Sequence, residues 1–201
     1  MKFLKENSYD IIRLLINQFG IAIFTFILYT SVGAVEVEDG TKLIIKIAIS
    51  AFSMLFYFAL LYTVAWDWGA KDKIRIDGGR MEPDRFKASK MSFLANVPNF
   101  VLTFVCILTF AIFLIFENNG AFTFFAILNL ILRLFMSMYL GVIQGIFYAL
   151  SANENMYFLA QSIGFFFIPV LSILATQFGY TMGSKEKKIF GSCAPKNNKK
   201  H

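Results

Sequence analysis

The chain has 201 residues and a formal net charge of +6; 57% of its residues are hydrophobic, 16% are charged and 25 are Phe. Soluble domains are about 45–50% apolar and about 25% charged, so this composition excludes a soluble globular enzyme, a disordered protein and a disulfide scaffold. Continuous apolar runs also argue against a transmembrane β-barrel, whose strands alternate apolar and polar residues. The sequence therefore predicts an all-α, polytopic integral membrane bundle.

Five segments reach the length of about 20 apolar residues that a helix needs to cross a bilayer. They cover residues 14–35, 43–65, 91–116, 121–150 and 157–183, and we expect one membrane-embedded domain over residues 1–183. We interpret the first segment as a retained helix, because it is longer than the apolar part of a signal peptide and its leader contains acids. Residues 184–201 form a basic tail that we expect to be disordered.

Besides the tail, Lys and Arg concentrate in two places, the N-terminus and residues 66–90, and the second holds seven of them. Because positively charged loops stay in the cytoplasm, we expect both places on the cytoplasmic side and the acidic turn at residues 36–42 on the other side. A high content of Phe, Ile, Lys and Asn is typical of an AT-rich bacterial genome. The expected location is therefore a bacterial cytoplasmic, or inner, membrane.

The fourth segment conflicts with this charge rule. Five full spans place the six Lys of the tail outside, whereas four full spans place them inside. As one straight helix the segment would be about 45 Å long, against an apolar core of about 30 Å. We expect five full spans, because the segment reads as one continuous helix. The alternative is a broken or re-entrant element, for which Gly141-x-x-x-Gly145 offers a place to bend or pack closely.

Each segment also carries one polar or small face at helical spacing, and we expect these faces to turn inward, away from lipid. Two interpretations remain open, hydrogen bonding between helices and a polar cavity or pathway. The faces are Gln18, Ala22, Thr25 and Tyr29; Lys46, Ser50, Ser53 and Tyr57; Ser92, Asn96, Asn99, Thr103 and Cys106; Asn129, Arg133, Ser137, Gln144 and Tyr148; and Gln161, Ser172, Thr176, Gly179 and Gly183.

Arg133 is the main candidate for a functional group inside the membrane. It lies about 18 Å along the fourth segment, where a charge costs roughly 2.5–3.5 kcal/mol, and the apolar segments contain no Asp or Glu to pair with it. Pro98 and Pro169 each free a backbone carbonyl that an Arg can contact. One hypothesis is a cationic polar site for an anionic solute or lipid headgroup; the other is a purely structural Arg133. The candidate site comprises Arg133, Asn96, Asn99, Pro98, Gln144 and Gln161. Lys46, near a segment end, is expected to snorkel to the interface.

The stretch from residue 66 to residue 90 mixes both signs of charge. Apolar and charged residues alternate over residues 73–77, which predicts a short strand, and Gly78-Gly79 predicts a turn after it. We expect the third helix to begin at residues 81–84, with Pro83 near its start. Trp66 and Trp68 are expected to anchor the interface. The candidate residues for docking a partner or binding anionic headgroups are Arg75, Arg80, Arg85 and Lys87.

The sequence offers no catalytic or cofactor pattern. His201 is the only His, Cys106 and Cys193 are expected to be free thiols, and calcium-loop, phosphate-loop, H-E-x-x-H and G-x-S-x-G motifs are absent. We expect no cofactor, no metal and no nucleic-acid partner. The predicted function is a non-enzymatic membrane protein acting through lipid or protein contacts, as an accessory subunit, anchor or regulator. The alternative is a small permease or channel component; an integral membrane enzyme is the weakest option.

Overall fold

The computed structural model describes residues 2–117, 119–148 and 154–187, and every regular element within these ranges is an α-helix. Cys193, His201 and most of the basic tail lie outside the described residues. The helices are α1 (Lys2–Gly33), α2 (Asp39–Asp77), α3 (Lys87–Phe116), α4 (Asn119–Phe135), α5 (Ser137–Tyr148) and α6 (Glu154–Ser184).

Four of these helices, α1, α2, α3 and α6, are long and apolar enough to cross a membrane. Their most apolar 18-residue windows have mean hydropathies of 2.0, 2.1, 2.6 and 2.0. The large side chains that they expose are mainly Phe, Ile and Leu, which a soluble protein would bury but which lipid accommodates. The predicted fold class, a membrane-spanning helical bundle, is therefore confirmed.

The fourth apolar segment is not one helix. α4 ends at Phe135, α5 begins at Ser137, and the chain bends by 111° between them. The expectation of a continuous helix is therefore wrong, and the structure supports the broken or re-entrant alternative. Met136, at the bend, is fully buried; its N–H donates to the Leu132 carbonyl and its own carbonyl accepts from Tyr139, both at 2.9 Å.

Both ends of the α4–α5 pair lie at the same end of the bundle. Near the start of α4, the Phe122 ring lies 4.8 Å from the Phe113 ring, close to the end of α3. At the bend, the Phe135 ring lies 5.3 Å from the Phe19 ring, about halfway along α1. α5 then returns until Gln144 lies beside the first turns of α2. The pair is therefore a hairpin, called the α4–α5 hairpin below, that enters and leaves the bundle at one end.

The other end of the bundle, called the basic end below, holds most of the Lys and Arg residues that the structure describes. Here α1 starts, residues 78–86 join α2 to α3, and α6 ends. The Lys90 ammonium lies 5.9 Å from the Phe3 ring, and the Trp66 indole donates to the Lys187 carbonyl at 2.7 Å. The start of the tail, up to residue 187, therefore lies at the same end of the bundle as residues 78–86. This arrangement agrees with the charge rule, which five full spans violated.

α2 continues through much of the stretch expected to be a loop. It extends to Asp77, so the short strand predicted over residues 73–77 is wrong. The Lys73–Asp77 ion pair, at 2.8 Å and with i,i+4 spacing, supports this last turn of helix. The helix ends at the predicted turn, where Gly79 adopts a φ of +67° that favours glycine.

Two other boundaries differ from the predictions. α1 begins at Lys2, so the polar leader ahead of residue 14 is already helical. α3 begins at Lys87 rather than at residues 81–84. The Asp84 carboxylate accepts a hydrogen bond from the Phe86 N–H at 3.0 Å immediately before this helix, which gives a free backbone donor a partner.

The polar faces turn inward, as predicted from their spacing. Most of their members are buried, and the residues exposed to the surroundings on the same helices are large and apolar. The buried polar residues of these faces are Gln18, Thr25, Ser50, Ser53, Ser92, Asn96, Asn99, Thr103, Asn129, Ser137, Gln161, Ser172 and Thr176.

Glycines bring three helices into backbone contact. A Cβ added to Gly141 of α5 would overlap the Lys46 carbonyl of α2, and one added to Gly179 of α6 would lie 2.6 Å from the Tyr62 carbonyl oxygen of α2. The Gly141-x-x-x-Gly145 spacing of α5 and the Gly179-x-x-x-Gly183 spacing of α6 therefore serve close helix packing. Gly141 is not the place where the fourth segment bends.

Candidate functional site

Arg133 lies near the end of α4, in the inner half of the α4–α5 hairpin. Its Nη2 donates to the Gln161 Oε1 of α6 at 2.9 Å, and its guanidinium carbon lies 5.9 Å from the centroid of the Phe158 ring. An aromatic face attracts a cation, and this attraction strengthens where water is excluded. The structure therefore joins two of the predicted site residues, Arg133 and Gln161, across the α4–α6 interface.

Two buried donor atoms of this pair, Arg133 Nε and Gln161 Nε2, have no hydrogen-bond partner among the described residues. The nearby Asn129 Nδ2 has no oxygen acceptor either, although the Asn129 side chain interacts with the Cys106 thiol. Asn129 precedes Arg133 by one helical turn, so both side chains lie on the same side of α4. The Gln161 amide cannot be turned around, because its NH₂ group would then face the guanidinium. The cluster thus offers donors in excess of acceptors.

Asn96 and Asn99 lie in a separate network on α3. Asn96 Nδ2 donates to the Ser172 Oγ of α6 at 3.1 Å, and Asn99 Nδ2 donates to Asn96 Oδ1 at 3.1 Å. Below them, Thr176 Oγ1 donates to Ser92 Oγ at 3.2 Å. These groups connect α3 to α6 and satisfy one another, which is the pattern of structural hydrogen bonds between membrane helices.

Pro98, inside the continuous helix α3, faces a cavity of only about 40 Å³, which it lines together with Asn99, Gln18 and Phe135. That volume holds about one water molecule. The hydrogen bond of Arg133 goes to Gln161 rather than to Asn96 or Asn99. The six candidate residues are thus distributed over more than one place in the bundle.

A larger cavity of about 320 Å³ opens at the end where the hairpin enters. It is lined by the first turns of α2, with Lys42 and Lys46, and by Gln144 and Tyr157 from α5 and α6. Lys46 Nζ lies 4.9 Å from the Tyr29 ring, and the Tyr29 hydroxyl donates to Gln144 Oε1. Lys46 thus faces this opening, consistent with the expected snorkelling.

A second cavity, of about 240 Å³, lies at the basic end. Its lining mixes basic, acidic and aromatic groups, namely Tyr9, Asp10, Arg13, Trp68, Lys71, Asp72, Arg75, Lys87, Met91 and Tyr180. Asp72 is its centre: the Asp72 carboxylate lies 2.7 Å from Lys87 Nζ and accepts a hydrogen bond from the Tyr180 hydroxyl at 3.1 Å. A single buried carboxylate therefore joins α2, α3 and α6.

The four candidate headgroup residues are placed differently. Lys87 turns inward to Asp72, and Arg75 lies 3.8 Å from the same carboxylate but remains exposed. Arg80 and Arg85 are exposed on the 78–86 connection. Three of the four can therefore face lipid headgroups or a partner, while Lys87 has a structural ion pair.

The 78–86 connection is held to α3 and α6 by hydrogen bonds. Gln177 of α6 donates to the Arg85 carbonyl at 2.8 Å. Lys90 Nζ donates to the Asp84 carboxylate at 2.9 Å, and this hydrogen bond is the main reason that the pKa of Asp84 lies below its usual value. Arg80 and Arg85 therefore lie on a connection whose position is fixed by hydrogen bonds to α3 and α6.

Asp72 was missed as a site residue, although a signal was present. Tyr57, Leu61, Ala65, Trp68 and Asp72 continue one helical face at spacings of three and four, and all are buried. Extending the period past Trp66 would have placed Asp72 on the inner face of α2.

Cys106 is a free, buried cysteine, as expected. Within the described parts of the chain, no group of three or more His, Cys, Asp or Glu side chains is arranged to hold a metal ion. Comparisons with protein-family models, curated proteins and solved structures give no match for this chain.

Proposed function

We propose that this chain is a non-enzymatic multi-pass membrane protein that acts through contacts with lipid and with another membrane protein or a second copy, as an accessory subunit, anchor or regulator. The observation that carries this proposal is the way the polar side chains between α3 and α6 hydrogen-bond to one another. Asn96, Asn99, Ser172 and Thr176 bond to one another between α3 and α6, and the cavity beside them is about 40 Å³. A conduction pathway needs a continuous polar cavity instead.

The basic end supplies the surface for these contacts. Arg75, Arg80 and Arg85 are exposed there, and each basic residue near an anionic membrane surface contributes about 1 kcal/mol. Replacing all three with Gln is expected to lower the amount of anionic phospholipid that copurifies in mild detergent by several-fold. Mass spectrometry of the bound lipids, normalised to protein, measures this.

A matched control removes one cation at the other end: Lys42→Gln is expected to leave most of the bound anionic lipid in place. Equal lipid content in the wild-type protein and the triple variant would remove the basis for a headgroup contact at the basic end.

The basic end also sets the proposed orientation, with the N-terminus, residues 78–86 and the tail in the cytoplasm of a bacterial cell and the protein in its inner membrane. The native thiol Cys193 tests this. In intact cells Cys193 should be protected from a membrane-impermeant maleimide, as should a cysteine introduced at Arg80, whereas one introduced at Gly40 should react. Cys106 is buried, so it is not expected to react with the maleimide.

Reaction of Cys193 from outside, together with protection at position 80, would restore the five-span topology. Reaction at both positions 80 and 193, with protection at position 40, would invert the orientation but keep the four-span arrangement.

A second candidate function is a small permease or channel component with a cationic polar site. The α4–α5 hairpin favours it, because non-continuous helices at membrane depth are found where transporters bind substrates. Arg133 and its unpaired donors lie on this hairpin.

A further inference from the structure

The 240 Å³ cavity at the basic end lies at the depth of the lipid headgroups. No charged residue follows Arg13 within α1, and none lies between Lys46 and Asp67 in α2. Arg13 and Lys71 both line the cavity, so it lies where α1 and α2 each change from uncharged to charged sequence. In a bilayer this change marks the border between the hydrocarbon core and the headgroup layer.

Most charges that α2 and α3 contribute to the lining are already paired within the protein. Lys71 lies 2.6 Å from the Asp67 carboxylate. Lys87 lies 2.7 Å from the buried Asp72 carboxylate. Arg75 is 3.8 Å from the same carboxylate, but 61% of its side chain is exposed. On this side of the cavity, Arg75 is therefore the cation that remains available to a ligand.

The α1 side of the cavity supplies two charges of opposite sign. Asp10 and Arg13 both line it, and neither has an ion pair or a hydrogen bond to a side chain within the described part of the chain. The cavity thus presents an unpaired carboxylate and an unpaired guanidinium, with the Arg75 guanidinium opposite. Guanidinium groups bind phosphate through parallel N–H donors, whereas a carboxylate needs a donor such as an ammonium group. The complementary ligand therefore carries both a phosphate and an ammonium group.

The size and surroundings of the cavity suit the headgroup of a membrane lipid. Its 240 Å³ is less than the roughly 300–1,000 Å³ of pockets that enclose a whole small molecule. Tyr9, Arg13, Ile16 and Gly20 follow one another along one face of α1. Ile16 is 61% exposed, and a Cβ added to Gly20 would meet nothing within 4 Å. Acyl chains can therefore lie along this uncovered face while the headgroup occupies the cavity.

We propose that this cavity binds the headgroup of a zwitterionic phospholipid of the phosphatidylethanolamine class, with Arg13 and Arg75 at its phosphate and Asp10 at its primary ammonium group. The inference rests on the proposed contact function, because it names one lipid that the protein contacts. It deepens that function by adding a site on α1, whose residues the headgroup contact at Arg75, Arg80 and Arg85 does not include.

Thermal unfolding of the full chain in mild detergent tests the site. Phosphatidylethanolamine added to the micelles is expected to raise the unfolding midpoint by about 3–6 °C. Phosphatidylglycerol has the phosphate but no ammonium group, and the quaternary ammonium of phosphatidylcholine has no N–H to donate to a carboxylate. Each of these two lipids is expected to give a clearly smaller rise.

Two variants of α1 separate the two charges of the headgroup. Asp10→Asn is expected to reduce the response to phosphatidylethanolamine to that given by phosphatidylglycerol. Arg13→Gln is expected to lower the response to all three lipids, because all three contain the phosphate. Neither side chain is fully buried, so both variants are expected to fold. Glu36→Gln and Lys42→Gln, which remove one charge of each sign at the other end of the bundle, are the matched controls and should respond like the wild-type protein.

The proposal is overturned if phosphatidylethanolamine shifts the wild-type midpoint no more than phosphatidylglycerol or phosphatidylcholine does. It is also overturned if the extra shift persists in Asp10→Asn, or if Arg13→Gln responds like the wild-type protein. The contact function is tested separately, by the anionic lipid that the triple variant of Arg75, Arg80 and Arg85 retains. A negative result for the α1 variants therefore leaves the contact function standing, and unchanged anionic lipid in the triple variant would not remove the selectivity measured at α1.

Discussion

Replacing Gly183 with Ala is expected to destabilise the protein by about 2–3 kcal/mol, the upper part of the usual range for overpacking. A Cβ at Gly183 would overlap the Trp66 carbonyl oxygen, and backbone atoms cannot move aside as a flexible side chain can. The contact is part of the α2–α6 interface, where Gly69 of α2 reciprocally approaches the Tyr180 carbonyl of α6. The expected result is a lower midpoint of thermal unfolding in detergent.

Gly20→Ala is the matched control. Gly20 also lies within a spanning helix, but a Cβ added there meets nothing within 4 Å, so this substitution is expected to be neutral or to stabilise by up to about 1 kcal/mol through helix propensity. If both variants had the same midpoint as the wild-type protein, α2 and α6 would not be in backbone contact at Gly183.

Hydrophobic length and helical period predicted much of the fold. The inward faces were identified correctly because lipid cannot satisfy polar groups, so Ser50, Asn96 and Thr176 must find partners inside the bundle. The G-x-x-x-G spacings were informative for a different reason, because only small residues allow the backbones of two helices to approach each other closely. These signals are local properties of single helices, and such properties can be read from one sequence.

The hairpin could not be placed from the sequence, because its bend contains neither Pro nor Gly. Leu134, Met136 and Met138 at the bend are good helix formers. The bend is held by tertiary contacts: the Ser137 hydroxyl donates to the Ala22 carbonyl of α1 at 2.5 Å, and the Gly141 N–H donates to Ser50 Oγ of α2 at 2.8 Å. Sequence periodicity contains no information about such distant partners. The charge of the tail had already counted against five full spans.

The sequence pointed to polar groups inside the membrane but not to which of them pair with one another. Arg133, Gln144 and Gln161 were identified as polar groups needing partners, yet pairing depends on how the hairpin folds back. The turn at Met136 directs Arg133 to α6, where Gln161 meets it, while Asn96 has a partner in Ser172. If the fourth segment were one straight helix, Arg133 and Gln144 would lie beside different neighbours.

Asp72→Ala is expected to destabilise the protein by about 3–5 kcal/mol, the loss found when one partner of a buried ion pair is removed. The Asp72 side chain is 4% exposed and that of Lys87 15%, with 2.7 Å between their charged atoms. Removing the carboxylate leaves the Lys87 ammonium and the Tyr180 hydroxyl without their acceptor. Because these groups come from α2, α3 and α6, the expected result is loosening of the whole basic end, seen as a lower unfolding midpoint and faster proteolysis within residues 78–86.

Asp67→Ala is the control for Asp72→Ala, because it removes one partner of an exposed ion pair instead of a buried one. Asp67 lies on the same helix and contacts Lys71 at 2.6 Å, but both side chains are about half exposed, at 49% and 61%; such pairs contribute about 0–1 kcal/mol. Adding Lys87→Met to Asp72→Ala should recover part of the loss, because the cost arises from an uncompensated buried charge. Two results would contradict this prediction: equal destabilisation by Asp72→Ala and Asp67→Ala, or no recovery of stability in the double variant. Either would mean that Lys87 reaches water once its partner is removed and that the Asp72 carboxylate does not hold the three helices together.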